Sequence, residues 1–277
     1  MALTPFQRDV CRLLAGNRLR SGDSYVAGGV ALNTLLRAPR LSRDIDLFHD
    51  TEQALAASWA ADRDSLERAG YALRVIRERP TFVEAEVRRE EHAVLIQWAH
   101  DSAYRFFPLV EHEELGLVLH PFDLATGKVL ALVGRVEPRD FVDTLTCHRE
   151  VQPLGYLAWA ACGKDPGFSP AAIVELAARS ARYSGEELRA LAFESDEPPD
   201  ERQLSQQWKV ALAGAREVID LLPAEESGRA VLTLDGLPYA GSATELREAI
   251  ARGELQYHSG RIRGAFPRIA GEPRPGD

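Results

Sequence analysis

Two aspartates two positions apart, Asp44 and Asp46, stand in the run Leu41-Ser42-Arg43-Asp44-Ile45-Asp46-Leu47-Phe48. A strand turns alternate side chains to opposite faces, so both carboxylates emerge on one face. Ile45, Leu47 and Phe48 mark the run as a buried strand. Neighbouring carboxylates repel, and burying them without partners is costly. A divalent cation resolves that conflict. Hard oxygen ligands suit Mg²⁺ or Mn²⁺, above all where phosphates complete the coordination shell. An isolated Asp-x-Asp is more often a solvated strand edge, and it is the stretch upstream that changes the reading. Tyr25-Val26-Ala27-Gly28-Gly29 reads as a strand that breaks at two glycines and opens into a helical pattern from Val30 to Leu36. Glycines let backbone amides approach a phosphate closely, and a helix start favours an anion. A phosphate cradle followed by a metal-binding pair is a coherent site.

A second constellation follows at Lys128-Val-Leu-Ala-Leu-Val-Gly-Arg135 and Pro138-Arg139-Asp140-Phe-Val-Asp143. Lys128 and Arg135 fall on one helix face with Leu132 between them. Asp140 and Asp143, three apart, also share a face. Taken alone, this is equally the pattern of an exposed charged helix pair, with surface ion pairs worth little.

The elements that must position these residues follow from periodicity. Residues 6–20 carry apolar positions at helical spacing, and Thr51-Glu52 starts a helical pattern that ends near Gly70. Tyr71–Ile76, Thr81–Val87, Ala93–Trp98 and Leu115–Leu119 read as strands. From Pro121 the pattern is helix after helix: Asp123 is a candidate cap, and Pro138, Pro153 and Pro170 precede helical runs. Ser184-Gly185-Glu186-Glu187 looks like a capping box, and Pro198-Pro199-Asp200 breaks the chain before a long helix over 201–222. A short strand at Val231–Leu234, a helix at Thr244–Gly253 and a frayed tail from Gly264 complete the reading.

Taken jointly, Gly28-Gly29, Ser42-x-Asp44-x-Asp46-Leu-Phe and the Lys128–Asp143 segment resemble the polymerase-beta-type nucleotidyltransferase superfamily. Within it they are most similar to the AbiEii/AbiGii toxin nucleotidyltransferases of type IV toxin–antitoxin systems, including the MenT-like toxins. The resemblance spans roughly residues 20–195. It implies an α/β + α protein: a nucleotidyltransferase sheet domain over residues 1–120 and a helical C-terminal domain over 121–277 that completes the active-site cleft. It implies an Mg²⁺-dependent transferase (EC 2.7.7 type) that moves nucleotides from an NTP to an acceptor, with the tRNA 3′ end the best guess and translation the process blocked. A cognate antitoxin protein would restrain it. The roles implied are metal binding for Asp44 and Asp46, triphosphate binding for Gly28, Gly29, Ser42, Lys128 and Arg135, and catalysis for Asp44, Asp46, Lys128 and Asp140. Asp143 is the alternative to Asp140. Transfer to a small molecule or a protein, and a catalytically silent nucleotide-binding module, are the alternative functions.

The superfamily usually adds a third carboxylate from a nearby strand. Here that position falls at Gln97, which can accept a hydrogen bond but brings no charge and cannot act as a base. Glu84, Glu86 and Asp101 are the candidate substitutes.

Composition bounds the rest. The chain has 277 residues, 45% hydrophobic and 27% charged, ordinary values for a globular protein. A formal net charge of −9 weighs against extensive nucleic-acid binding, although arginines cluster at 12–43 and 252–274. No apolar run approaches the roughly 18 residues that would span a bilayer. There is no secretory pattern at the N-terminus. Cys11, Cys147 and Cys162 are scattered without metal spacing, which suits a reducing cytoplasm. His100, His112, His120 and His148 also lack metal spacing, His49 reads as locally hydrogen-bonded, and Trp59, Trp98, Trp159 and Trp208 fit core positions.

Overall fold

The computed structural model describes residues 3–180, 183–194 and 200–269. The chain divides into two compact units, the first comprising Met1–Ala103, Leu109–Leu124 and Leu191–Glu197, the second Tyr104–Pro108, Ala125–Ala190 and Pro198–Asp277.

The first unit opens with α1 (Pro5–Ser21), where Thr4 and Gln7 form a capping box that satisfies two amides of the first turn. Then come β1 (Ser24–Ala27), α2 (Gly28–Leu35), β2 (Asp44–His49) and α3 (Glu52–Arg68), the last capped by Thr51. Strands β3 (Ala72–Arg79), β4 (Phe82–Arg89) and β5 (His92–His100) form an antiparallel meander. A two-residue strand β6 (Tyr104–Arg105) pairs in the second unit, and β7 (Val110–His112) and β8 (Gly116–Val118) return to the first.

Among the described residues these strands make a mixed seven-stranded sheet in the order β3-β4-β5-β2-β1-β8-β7. β2 runs antiparallel to β1 and parallel to β5. Burial alternates along β2, β4 and β5, as a strand with one face against a core requires. Ile45, Leu47, Val83, Ala85, Ile96 and Trp98 form the buried face, onto which α1 and α3 pack. Trp98 Nε1 donates to Asp62 of α3 at 2.9 Å, which satisfies the one polar atom of a fully buried indole. The opposite face carries Asp44, Asp46, Gln97, Glu84 and Glu86.

Helix α4 (Pro121–Arg135) belongs to the first unit up to Leu124 and to the second from Ala125. Asp123 does not cap it; the helix begins at Pro121 and Asp123 lies in its first turn. The second unit continues with α5 (Pro138–Glu150), α6 (Leu154–Ala161), α7 (Pro170–Ser180), α8 (Gly185–Arg189) and α9 (Glu201–Leu221). The Ser184–Glu187 capping box is present, and Asp200 caps α9. Pro198 and Pro199 lie outside the described residues. β9 (Ala230–Thr233), α10 (Ala243–Arg252), β10 (Leu255–His258) and β11 (Arg261–Ile262) end the fold, with β9 paired to β10 and β11 to β6. Tyr156, Trp159, Val218, Leu222, Val231 and Leu246 form its core. The strands β6, β7, β10 and β11 have no counterpart in the sequence reading, because two to four residues are too few to show a period. Within the tail, residues 264–269 carry no regular structure and 270–277 lie outside the described residues.

Candidate active site

The site is built where β1 ends. Gly28 adopts φ +63, a conformation that L side chains avoid, and it begins α2 with no side chain capping the helix start. A Cβ on Gly28 would lie 1.8 Å from Asp46 Oδ2 and 2.7 Å from its Cγ. A Cβ on Gly29 would lie 2.7 Å from both Ser42 Oγ and Arg40 Nη2. The glycines therefore do two things at once: they bare the amides of a helix start, and they let Asp46, Ser42 and Arg40 close onto the backbone.

Ser42 Oγ donates to Asp44 Oδ1 at 3.3 Å, which links the cradle to the first carboxylate. Ser42 is held from behind by Gln7, whose Nε2 donates to the Ser42 carbonyl at 2.8 Å. The same glutamine completes the cap of α1, so the helix start and the loop are fixed together. Arg40 is buried and donates from Nη1 to the Leu41 carbonyl at 3.1 Å. Its loop is clamped by a distant segment: Leu41 N–H donates to the Ala192 carbonyl at 2.9 Å, and Glu194 N–H to the Pro39 carbonyl at 2.8 Å. Sequence reasoning placed Arg40 only in a basic cluster. The missed signal is the alternation itself, since 40, 42, 44 and 46 share one parity.

Across the sheet, Asp46 lies opposite Gln97 and Gln97 opposite Glu84. Gln97 Nε2 donates to Glu84 Oε1 at 3.0 Å. Glu86 is held by Arg74 at 3.2 Å and Arg88 at 2.9 Å. Asp101 lies beyond the end of β5. The strands bring neither Glu86 nor Asp101 to the pair, and among the described residues no three His, Cys, Asp or Glu side chains converge to hold a metal. Asp44 and Asp46 form a two-carboxylate site beside a helix start and a buried arginine. That donor set fits a hard cation which takes few protein ligands and completes its shell with phosphate oxygens and water. His49 is not part of it. It is buried on the other face, its Nδ1–H donates to the Ala99 carbonyl at 3.1 Å, and burial pushes its pKa down to about 4.

The second constellation lies in the second unit, and its lysine and both aspartates are buried. Asp140 and Asp143 are 0% and 1% accessible, and Lys128 is 7%. Lys128 Nζ stands 3.1 Å from Asp140 Oδ1 and 2.8 Å from Asp143 Oδ2, so both aspartates engage one ammonium. Arg135 adds a fork on Asp140, with Nε to Oδ2 at 3.2 Å and Nη2 to Oδ1 at 3.1 Å. Lys128 and the exposed Arg135 offset the charge of the two carboxylates, which is what makes the burial of Asp140 and Asp143 tolerable. Asp143 is thus buried against Lys128 and does not stand on an exposed face.

Residues 12–116, which contain the glycine pair, Asp44, Asp46, Glu84 and Gln97, match the family described as nucleotidyl transferase AbiEii toxin of the type IV toxin–antitoxin system. The resemblance read from the sequence holds for this segment; Lys128–Asp143 lies beyond it. The fold is similar to a crystal structure from H. pylori whose assignment as a nucleotidyltransferase is itself provisional. That likeness has 14% identity and a TM-score of 0.50, and covers 79% of this chain and 98% of that one. JHP933 from Helicobacter pylori is also similar, with 15% identity, TM-score 0.48, and coverage of 76% and 91%. The nucleotidyltransferase toxin MenT4 from Mycobacterium tuberculosis H37Rv is similar at 16% identity and TM-score 0.43, over 78% and 86%. No curated protein matches the sequence. The sheet and helices are those of the nucleotidyltransferase fold.

Proposed function

We propose that the protein is a toxin-type nucleotidyltransferase that moves a nucleotide from an NTP onto an acceptor hydroxyl, with the tRNA 3′ end as acceptor and translation as the process blocked. The observation that carries this reading is the closure of Asp46 and Ser42 onto Gly28 and Gly29, which joins a phosphate cradle and a carboxylate pair in one cluster. The amides of Gly28 and Gly29, the Ser42 hydroxyl and the Arg40 guanidinium hold the β- and γ-phosphates. Asp44 and Asp46 hold Mg²⁺ or Mn²⁺, which when bound would polarise the α-phosphate and offset the charge of the leaving pyrophosphate. In the second unit, Lys128 and Arg135 serve nucleotide binding, and Asp140 positions Lys128 for catalysis. A cognate antitoxin restrains the enzyme, and a cytoplasmic setting suits three buried free cysteines. No described helix is long and apolar enough to cross a membrane.

Incubation with labelled NTPs, Mg²⁺ and total tRNA tests the reading. Label on RNA that disappears in Asp44→Ala and Asp46→Ala is expected; label on protein or a small molecule instead would sink the acceptor assignment. A second reading, a nucleotide-binding module without turnover, is favoured by the uncharged Gln97 opposite Asp46. Growth arrest on expression that is lost in Asp44→Ala, in protein whose thermal unfolding matches wild type and which still binds NTP, would exclude it.

A further inference from the structure

Gln97 has a carboxylate-bearing strand on each side: β2 with Asp46 and β4 with Glu84. An ionised carboxylate only accepts hydrogen bonds, so the Gln97 atom that faces Glu84 at 3.0 Å must be the amide nitrogen. The carboxamide is planar and carries one oxygen and one nitrogen. Fixing Nε2 towards β4 therefore turns Oε1 away from β4, to the side where β2 presents Asp46. Glu84 itself is one strand too far: two inter-strand steps put its backbone roughly 10 Å from that of Asp46. Its oxygen is already engaged by Gln97.

We propose that Gln97 Oε1 is the third, neutral oxygen ligand of the Asp44–Asp46 cation site, and that Glu84 is a positioning residue that locks the Gln97 carboxamide with its oxygen towards the cation. This rests on the reading of Asp44 and Asp46 as metal carboxylates. Carbonyl oxygens are ordinary ligands of hard divalent cations, and a hydrogen bond from the far side of a ligand fixes which atom it presents. The cation is then held by two negative charges instead of three. Position 97 cannot take the acceptor's proton.

Mn²⁺ binding to the full-length protein, followed by electron paramagnetic resonance of the free ion without nucleotide or acceptor, tests this. Thermal unfolding confirms that each variant is folded. In Glu84→Gln the lock is lost, because an amide at 84 can pair with either end of Gln97, and Mn²⁺ affinity falls about tenfold. Gln97→Glu binds Mn²⁺ more tightly than wild type. Gln97→Ala removes the proposed ligand and lowers Mn²⁺ affinity, and in that background Glu84→Gln has no carboxamide to release, so it changes affinity only through its lost charge, by less than about twofold. The loss of the Glu84→Gln effect once the carboxamide at 97 is gone is the signature of the proposal. Glu84→Gln that leaves binding unchanged, or that lowers it as much in Gln97→Ala as in wild type, overturns the proposal alone, provided that Asp46→Asn abolishes binding. Wild-type protein that takes no Mn²⁺, or takes it equally well in Asp46→Asn, overturns the metal reading of Asp44 and Asp46 and the proposal with it.

Discussion

Gly28 has little freedom to change. It combines a left-handed φ with a Cβ direction filled by the Asp46 carboxylate at 1.8 Å, so Gly28→Ala must move either the backbone or that carboxylate. A cost of at least about 1 kcal/mol in stability is expected, with loss of NTP binding, measured by thermal unfolding and by titration with a non-hydrolysable NTP. His49 gives a pH signature. Its pKa falls from 6.5 in the unfolded chain to about 4 in the fold, chiefly through burial, with Arg18 and His100 adding repulsion and the Ala99 carbonyl and Asp50 opposing. Between those values the unfolded chain binds a proton that the folded chain refuses, so stability is full above about pH 6.5 and declines as pH falls towards 4. The loss amounts to up to about 3 kcal/mol. Denaturant titrations at pH 7 and pH 4.5 should show it, and His49→Gln should flatten that part of the profile.

Helices α4 and α5 are pinned by charge and by the Thr144 hydroxyl, which donates to the Lys128 carbonyl at 3.3 Å. Removing the ammonium in Lys128→Met leaves Asp140 and Asp143 buried without their shared cation, with an expected loss of about 3–5 kcal/mol in equilibrium unfolding. Replacing Lys128, Asp140 and Asp143 together by apolar residues should restore much of that stability while leaving the protein inactive, which separates the structural role from the chemical one. Arg135→Ala should cost below about 1 kcal/mol, because its side chain is 53% exposed and solvent already screens its fork on Asp140. At the same scale, the β2–β5–β4 register decides which side chains can meet at all. A shift of one residue in β5 would replace Gln97 with Ile96 or Trp98 and send the amide into the core.

Within the first unit, the loop that carries Arg40 and Ser42 depends on chain more than 150 positions away, where Ala192 and Glu194 exchange backbone hydrogen bonds with Leu41 and Pro39. Glu194→Pro removes the donor to Pro39, a bond worth about 1 kcal/mol. Faster hydrogen exchange at the Leu41 amide and a several-fold weaker NTP affinity are expected, with exchange in α5 unchanged. If the Leu41 amide exchanges at the wild-type rate, the clamp does not hold the loop.

Much of this molecule was legible from local pattern. Two carboxylates at strand spacing, a strand broken by paired glycines, and proline or serine at helix starts are properties of a few neighbouring residues. Period and backbone preference act at that range, so the sheet-then-helix order and the Asp44–Asp46 pair could be read directly. The sequence also showed that the position expected to be acidic is Gln97. What it could not show is who faces whom. Glu84 behind Gln97, Arg40 on Gly29, Gln7 under Ser42 and both aspartates on Lys128 are pairings between segments 11 to 35 positions apart, or choices between two residues on one helix face. Those depend on strand register, on the direction in which a loop is clamped and on which charges can be buried together. Only the packed chain decides them.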